Sequence, residues 1–174
     1  DLDPSWRDLQ VSARMKTSDI QLGDAAWQNA RVLVKFHMPD GKVRYADCPQ
    51  LSEETNWTTR SVRLKVPDGA TSLTLSPGVY GKAGTLWIDD LQLIANPTVE
   101  ATAPTEGQLT ISDATRIGNF DRADADGNPL DWKTGGNGQV RIIEENGRRL
   151  LELKTEDAGQ SSFAQQSFVI PAGL

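Results

Sequence analysis

The chain has 174 residues, 37% of them hydrophobic, which is enough to fill the core of one domain. Its 18 basic and 24 acidic residues give a formal net charge of −6, which argues against a protein that binds nucleic acid through a basic surface. The single Cys48 excludes an internal disulfide, the single His37 excludes a site built from two histidines, and the lack of any run of 18 apolar residues predicts no membrane-spanning helix.

The first part of the chain alternates apolar and polar residues in several short runs. A period of two is typical of a strand with one buried face. We therefore predict strands at 9–17, 30–38, 43–46, 61–67, 73–78 and 84–94. Turn residues separate them, such as Pro39-Asp40-Gly41, where proline presets φ and glycine takes the left-handed position.

The composition changes after Ile94. Residues 96–107 are rich in Pro, Thr and Glu without an apolar period, which predicts a linker at 97–107 between a part at 1–96 and a part at 108–174. Strands are predicted to resume at 108–111, 139–144, 150–154 and 163–170, with Asn146-Gly147 as a hairpin turn. No helix is predicted, and about nine short strands indicate an all-β sandwich or jelly roll.

Two adjacent carboxylates, Asp89 and Asp90, interrupt the apolar strand at 84–94. A buried carboxylate is costly unless it is paired or bound to a metal. A second stretch with an acidic residue, Asn119-Phe120-Asp121, follows later in the chain. We expect the two stretches to lie side by side and to share a cation.

Several motifs occur together. They are Asn119-Phe120-Asp121 with Asp131-Trp132; then 27–32 (WQNARV), 55–58 (TNWT) and 64–70 (LKVPDGA); and finally 84–91 (GTLWIDDL). In this combination they resemble the starts, middles and ends of carbohydrate-binding modules of families 4, 9 and 22. The resemblance implies a β-sandwich jelly roll that is similar to galactose-binding domains.

The order of these motifs is rotated, because the family's beginning lies at 113–174 and its middle and end lie at 1–96. Either the chain is one circularly permuted module, or it spans the end of one module and the start of another. Permutation is favoured because it yields complementary parts automatically, and domain termini often lie close together. A domain-swapped pair of chains would bury the same contacts.

The resemblance also implies a structural calcium ion, held by Asp121 and by Asp89 or Asp90. Calcium prefers six to eight oxygen ligands, which carboxylates and backbone carbonyls supply. The alternative is that one aspartate faces solvent and the other pairs with Arg or Lys.

Sugar-binding sites use flat aromatic rings together with polar side chains that bind the hydroxyl groups. We expect the exposed rings to be Trp27, Trp6 and Tyr80. The expected polar partners are Arg14, Arg31, Gln28 and Gln165. By contrast, we expect Trp57, Trp87 and Trp132 to be structural.

Catalysis is not expected. Glycoside hydrolysis needs two carboxylates facing each other across a cleft, whereas neighbours such as Asp89 and Asp90 point to opposite faces of a strand. The resemblance implies a secreted, non-catalytic module that targets an appended polysaccharide-degrading enzyme to a β-glycan of the β-glucan or xylan class. The alternative is a structural accessory domain of a glycoside hydrolase that binds no sugar.

Overall fold

The computed structural model describes residues 6–95, 114–118, 120–157 and 161–169. β-strands are the only regular secondary structure among these residues, and none of them forms a helix that could cross a membrane. The strands are β1 (Asp8–Gln21), β2 (Ala30–His37), β3 (Val43–Ala46), β4 (Gln50–Leu51), β5 (Thr55–Lys65), β6 (Ser72–Val79), β7 (Ala83–Ala95), β8 (Ala114–Gly118), β9 (Lys133–Gly136), β10 (Gln139–Glu145), β11 (Arg148–Thr155) and β12 (Ser162–Val169).

The strands pair antiparallel in two sheets. Sheet I has the order β10-β11-β7-β1-β5, and β8 pairs with the second half of β7, beyond the end of β11. Sheet II has the order β3-β2-β6-β12-β9, and β4 pairs with the start of β2. The prediction of an all-β sandwich is confirmed.

The core lies between the inner faces of the two sheets. In β1, the apolar residues Leu9, Val11, Ala13 and Met15 are fully buried between the sheets. The polar residues between them lie on the other face of the strand, where Gln10 and Ser12 are also buried and Arg14 is half-buried. Phe36 on β2 belongs to the same core cluster. The period of two in the sequence therefore sets which face of each sheet is inside.

Both sheets combine strands from the two sides of the 96–113 segment. In sheet I, Leu151 of β11 lies opposite Ile88 of β7. In sheet II, Ser162 of β12 lies opposite Val79 of β6. Leu151 and Ile88 belong to one buried cluster, so the two parts of the chain fill a common core. The predicted linker at 97–107 and the predicted strand at 108–111 lie outside the described residues.

Several strand boundaries differ from prediction. β5 begins at Thr55, and β6 continues through Pro77 and Gly78 to Val79. Pro77 is tolerated in β6 although it lacks an N–H group: it lies opposite Val32, whose own N–H donates to the Pro49 carbonyl at 2.9 Å. β4, β8 and β9 were not predicted, because they are short and lack a run of alternating apolar residues.

The hairpin at Asn146-Gly147 is confirmed. The φ angles of these residues are 53° and 75°, as a two-residue turn of type I′ requires, and the turn joins β10 to β11. The predicted end of the last strand, Ile170, lies outside the described residues.

The shared core predicts that the later part of the chain stabilises the earlier part. Because Leu151 is fully buried, Leu151→Ala should lower the free energy of unfolding by about 2–5 kcal/mol. Leu130→Ala is the matched control, since Leu130 is 55% exposed and its loss should change stability by less than about 0.5 kcal/mol. Urea denaturation measures both, and an equally small effect of the two substitutions would contradict the common core.

Candidate functional site

The loop between β1 and β2 presents Trp27 to solvent. The Trp27 side chain is 54% exposed. The loop is closed by hydrogen bonds from the Gly23 N–H to the Gln28 carbonyl (3.0 Å), from the Gln28 N–H to the Ala25 carbonyl (2.9 Å) and from the Asn29 N–H to the Trp27 carbonyl (3.0 Å). An indole that an ordered loop holds in solvent offers a flat apolar surface of the kind that packs on a sugar ring.

Gln28 and Arg31 stabilise this loop. The Gln28 Oε1 atom accepts a hydrogen bond from a backbone N–H of the same loop at 2.8 Å. The Arg31 guanidinium donates to Asn29 Oδ1 (2.7 Å), Gln50 Oε1 (2.8 Å) and the Ala26 carbonyl (3.3 Å). Arg31 is only 8% exposed. We expected Arg31 to bind sugar hydroxyl groups, but its hydrogen bonds hold it beneath the loop.

Tyr80 follows β6 and lies over the outer face of sheet II. Its hydroxyl donates to the Ser76 carbonyl at 3.0 Å, and its ring stacks on Phe163 with centroids 6.3 Å apart and planes at 14°. Burial raises the pKa of Tyr80 to about 12. Tyr80 is thus part of the covering of sheet II and does not form the exposed platform that we expected. Gln165, two residues after Phe163 on β12, is half-buried on the same face.

Two further tryptophans lie in the core. Trp132 is 7% exposed and packs against Phe120 with ring centroids 5.8 Å apart, so its predicted structural role is confirmed. Trp6 is 9% exposed and belongs to the same core cluster. The expectation that Trp6 forms an exposed platform is therefore wrong.

We expected Trp57 and Trp87 to be structural, but they do not pack inside the sandwich. Both are half-buried on the outer face of sheet I, on the strands that flank β1. The guanidinium carbon of Arg14 lies 4.7 Å from the Trp57 ring centroid, and the Lys16 ammonium lies 5.0 Å from that of Trp87. Both distances are typical of cation–π contacts.

A β-bulge brings the acidic pair, Asp89 and Asp90, onto one face. The pairing of β1 with β7 passes from Ser12 opposite Gln92 to Arg14 opposite Asp89, so β7 contains one extra residue. Asp90 adopts a φ of 49°, which aspartate tolerates better than most residues. Our expectation that the two carboxylates point to opposite faces is wrong because of this bulge.

Arginines neutralise the acidic pair. The Arg148 Nη2 atom lies 2.9 Å from Asp89 Oδ2 and 3.0 Å from Asp90 Oδ2. Arg14 Nη1 lies 3.3 Å from Asp89 Oδ2. The other oxygen of Asp89 accepts the Asp90 N–H at 2.9 Å. Since Asp89 is only 5% exposed, burial first and then the Asp90 carboxylate raise its pKa, against the lowering effects of Arg148, the Asp90 N–H and Arg14.

The surroundings of the acidic pair fit guanidinium groups better than calcium. Asp121 follows β8, whose last residue, Gly118, lies opposite Leu91, so the two acidic stretches are neighbours along the chain path. The Asp121 backbone carbonyl, however, accepts a hydrogen bond from Arg149. A calcium ion at Asp89 would have to displace Arg148, and the described residues contain no group of three or more His, Cys, Asp or Glu that could hold a metal.

The structure gathers the predicted residues into two groups. Trp27, Gln28 and Arg31 lie together at one end of sheet II, and the Tyr80 N–H donates to the Asn29 carbonyl in the same loop at 2.9 Å. The second group, on the outer face of sheet I, consists of Arg14, Asp89 and Asp90.

Sequence reasoning missed two residues that lie beside the second group, Lys16 and Glu152. Lys16 lies on the outward-facing side of β1, and Glu152 lies between two buried leucines of β11. Their alternation could have placed each side chain on an outer face. The partners could not have been named, because the strand pairing that sets Glu152 opposite Trp87 joins residues far apart in sequence.

Comparison with known proteins finds no match among family models, curated proteins or solved structures.

The raised pKa of Asp89 predicts a pH dependence of stability. The folded state holds this proton more tightly than the unfolded state, so the resulting stabilisation is complete below the ordinary value of 3.8 and is lost as the pH rises through the higher folded value. Asp89→Asn removes this titration. The stability of the wild type relative to Asp89→Asn should therefore fall across that window in thermal melts. A relative gain by the wild type would show that the arginine pairs dominate.

Removal of divalent cations with EDTA tests whether a calcium ion stabilises the site around Asp89. Because Arg14 and Arg148 already supply positive charge to Asp89, we expect EDTA to leave the melting temperature unchanged. A decrease in EDTA that added calcium reverses would establish the ion that the family resemblance implies.

Proposed function

We propose that this chain is a secreted, non-catalytic carbohydrate-binding module. It has the galactose-binding type of jelly roll in circularly permuted form. It binds a β-glycan of the β-glucan or xylan class and keeps an appended polysaccharide-degrading enzyme close to its substrate. The joint occurrence of the family-like motifs supports the type of module, and the common core of the two parts of one chain is compatible with permutation.

The observation that carries the proposal is the exposure of Trp27 on a loop that hydrogen bonds hold in place. A large aromatic side chain is normally buried when the fold allows it, whereas Trp27 is 54% exposed while Arg31 is buried beneath its loop. Preorganisation of this kind lowers the entropy cost of binding. The same loop also carries Asp24, which pairs with Lys82 at 2.9 Å, and the Lys82 side chain is 47% exposed.

The charges around the acidic pair also favour binding over hydrolysis. Asp89 and Asp90 both face Arg148, and Glu152 accepts hydrogen bonds from Trp87 and Arg141. A hydrolytic pair needs one carboxyl that donates a proton and one that stays ionised across a bond of the substrate. The carboxylates of Asp89, Asp90 and Glu152 already accept hydrogen bonds or ion pairs from arginine or indole groups, so they are poorly suited to either role.

A structural accessory domain is the second candidate function. Trp6 and Arg31, two of the residues expected to bind sugar, are buried in the described structure, and Tyr80 is engaged with Ser76 and Phe163. A sandwich that only packs on a catalytic domain would show the same burial.

Affinity electrophoresis in gels containing β-glucan or xylan separates the two candidates. A binding module should be retarded by at least one of these glycans. Trp27→Ala should weaken that binding about tenfold or more, because a ring of this size contributes more than about 1.4 kcal/mol when it is covered. Retardation by neither glycan would favour the structural role.

Tyr45→Ala is the matched control for loss of an exposed ring. Tyr45 is 68% exposed on β3, which pairs with the end of β2 opposite to the Trp27 loop, so its removal should leave retardation unchanged. An equal loss of glycan binding in both variants would show that binding does not depend specifically on the Trp27 loop.

A further inference from the structure

The outer face of sheet I carries two indole rings with cations between them. Trp57 lies on β5 and Trp87 on β7, on either side of β1, which supplies Arg14 and Lys16. Neighbouring strands are about 4.8 Å apart, so the two rings lie on strands separated by about 10 Å. We name the surface formed by these four residues the cationic face.

Hydrogen bonds and an ion pair hold two side chains of the cationic face, Trp87 and Arg14. Glu152 accepts the Trp87 Nε1–H at 2.8 Å and the Arg141 Nε–H at 2.6 Å, which sets the plane of the indole. Asp89 holds Arg14 at 3.3 Å beside Trp57. Trp87 and Arg14 are therefore positioned before any ligand arrives.

Charge is segregated by depth on this surface. Two carboxylates lie beneath, with Asp89 5% and Glu152 8% exposed, and the Asp90 side chain beside Arg148 is 26% exposed. The arginine side chains lie above, with Arg14 32%, Arg148 39% and Arg141 53% exposed. A ligand approaching from solvent meets the cations first, although the whole chain carries a net charge of −6.

Lys16 is the cation with the least compensation. Within the described part of the chain, its ammonium contacts the Trp87 ring and forms no salt bridge. An ammonium group with three donors and no carboxylate partner is suited to bind an anionic group.

We infer that the cationic face binds an anionic glycan, in which a sugar ring covers an indole edge or face and a carboxylate or sulfate group contacts Lys16 and Arg14. The inference rests on the proposed function in assuming a glycan ligand, and it extends that function to a second surface and to acidic sugars. An extended duplex of nucleic acid is a poor alternative because the rest of the chain is acidic.

Binding to polygalacturonate and to dextran sulfate tests the inference, with neutral xylan and oligo(dT) for comparison. Lys16→Gln should weaken binding of at least one of the two anionic glycans about three- to tenfold. Polygalacturonate alone would identify carboxylate as the group bound, and dextran sulfate alone would identify sulfate. Added NaCl should weaken wild-type binding more than binding by Lys16→Gln, because one screened contact is missing in the variant.

Lys35→Gln is the matched control. Lys35 is half-buried like Lys16, but it lies on β2 in sheet II. Its replacement by Gln changes the net charge by the same amount as Lys16→Gln. Equal effects of Lys16→Gln and Lys35→Gln would overturn the inference, and so would oligo(dT) binding that is tighter than glycan binding and equally dependent on Lys16. Circular dichroism checks that each variant is folded.

The outcome is separable from that of the first proposal. Trp27→Ala should leave binding of the anionic glycans intact, because Trp27 lies at the end of sheet II. If neutral glycans do not bind at all, an effect specific to Lys16→Gln still supports the cationic face. If Trp27→Ala and Lys16→Gln both leave every affinity unchanged, both surfaces are excluded.

Discussion

The ion pairs of Asp89 are the interaction on which the arrangement of sheet I depends. This carboxylate is 5% exposed on β7, a strand that pairs with β1 on one side and with β11 and β8 on the other. An isolated charge in this position would be strongly destabilising. The compensating cations come from both neighbours, Arg14 on β1 and Arg148 on β11. Because β1 and β11 belong to distant parts of the chain, the carboxylate has both of its arginine partners only when the two parts are assembled.

The two outer faces use buried polar groups in the same way. On sheet II, buried Arg31 holds the loop that exposes Trp27. On sheet I, buried Glu152 fixes the Trp87 indole and the Arg141 guanidinium. Glu152 thus holds an aromatic side chain directly, whereas Arg31 holds the backbone of the loop that carries one. Residue type alone does not reveal which side chains lie at the surface and which hold them from beneath.

The bulge in β7 shows how a local irregularity changes the chemistry of a strand. Leu86 and Ile88 face the core in one phase of the alternation, whereas Leu91 and Leu93 face it in the other. The extra residue, Asp90, absorbs the change of phase, and its carboxylate reaches Arg148 instead of the core. The change of phase is visible in the sequence and indicates a bulge near Asp89 and Asp90. A bulge at this position is not compatible with simple alternation of the two carboxylates between opposite faces.

The sequence by itself determined the all-β class, most of the strands, the Asn146-Gly147 hairpin and the inward residues of β1 and β2, because all of these follow from alternation and turn chemistry within a few residues. Only the tertiary structure decided which aromatic rings are exposed. Trp6 and Trp27 look alike in sequence, yet the first is in the core and the second is in solvent. It also decided the partners of Asp89 and Trp87, since these depend on the register between strands that are far apart along the chain. A single sequence records the face of a residue, whereas its neighbours across the sheet are fixed only when the sheet is assembled.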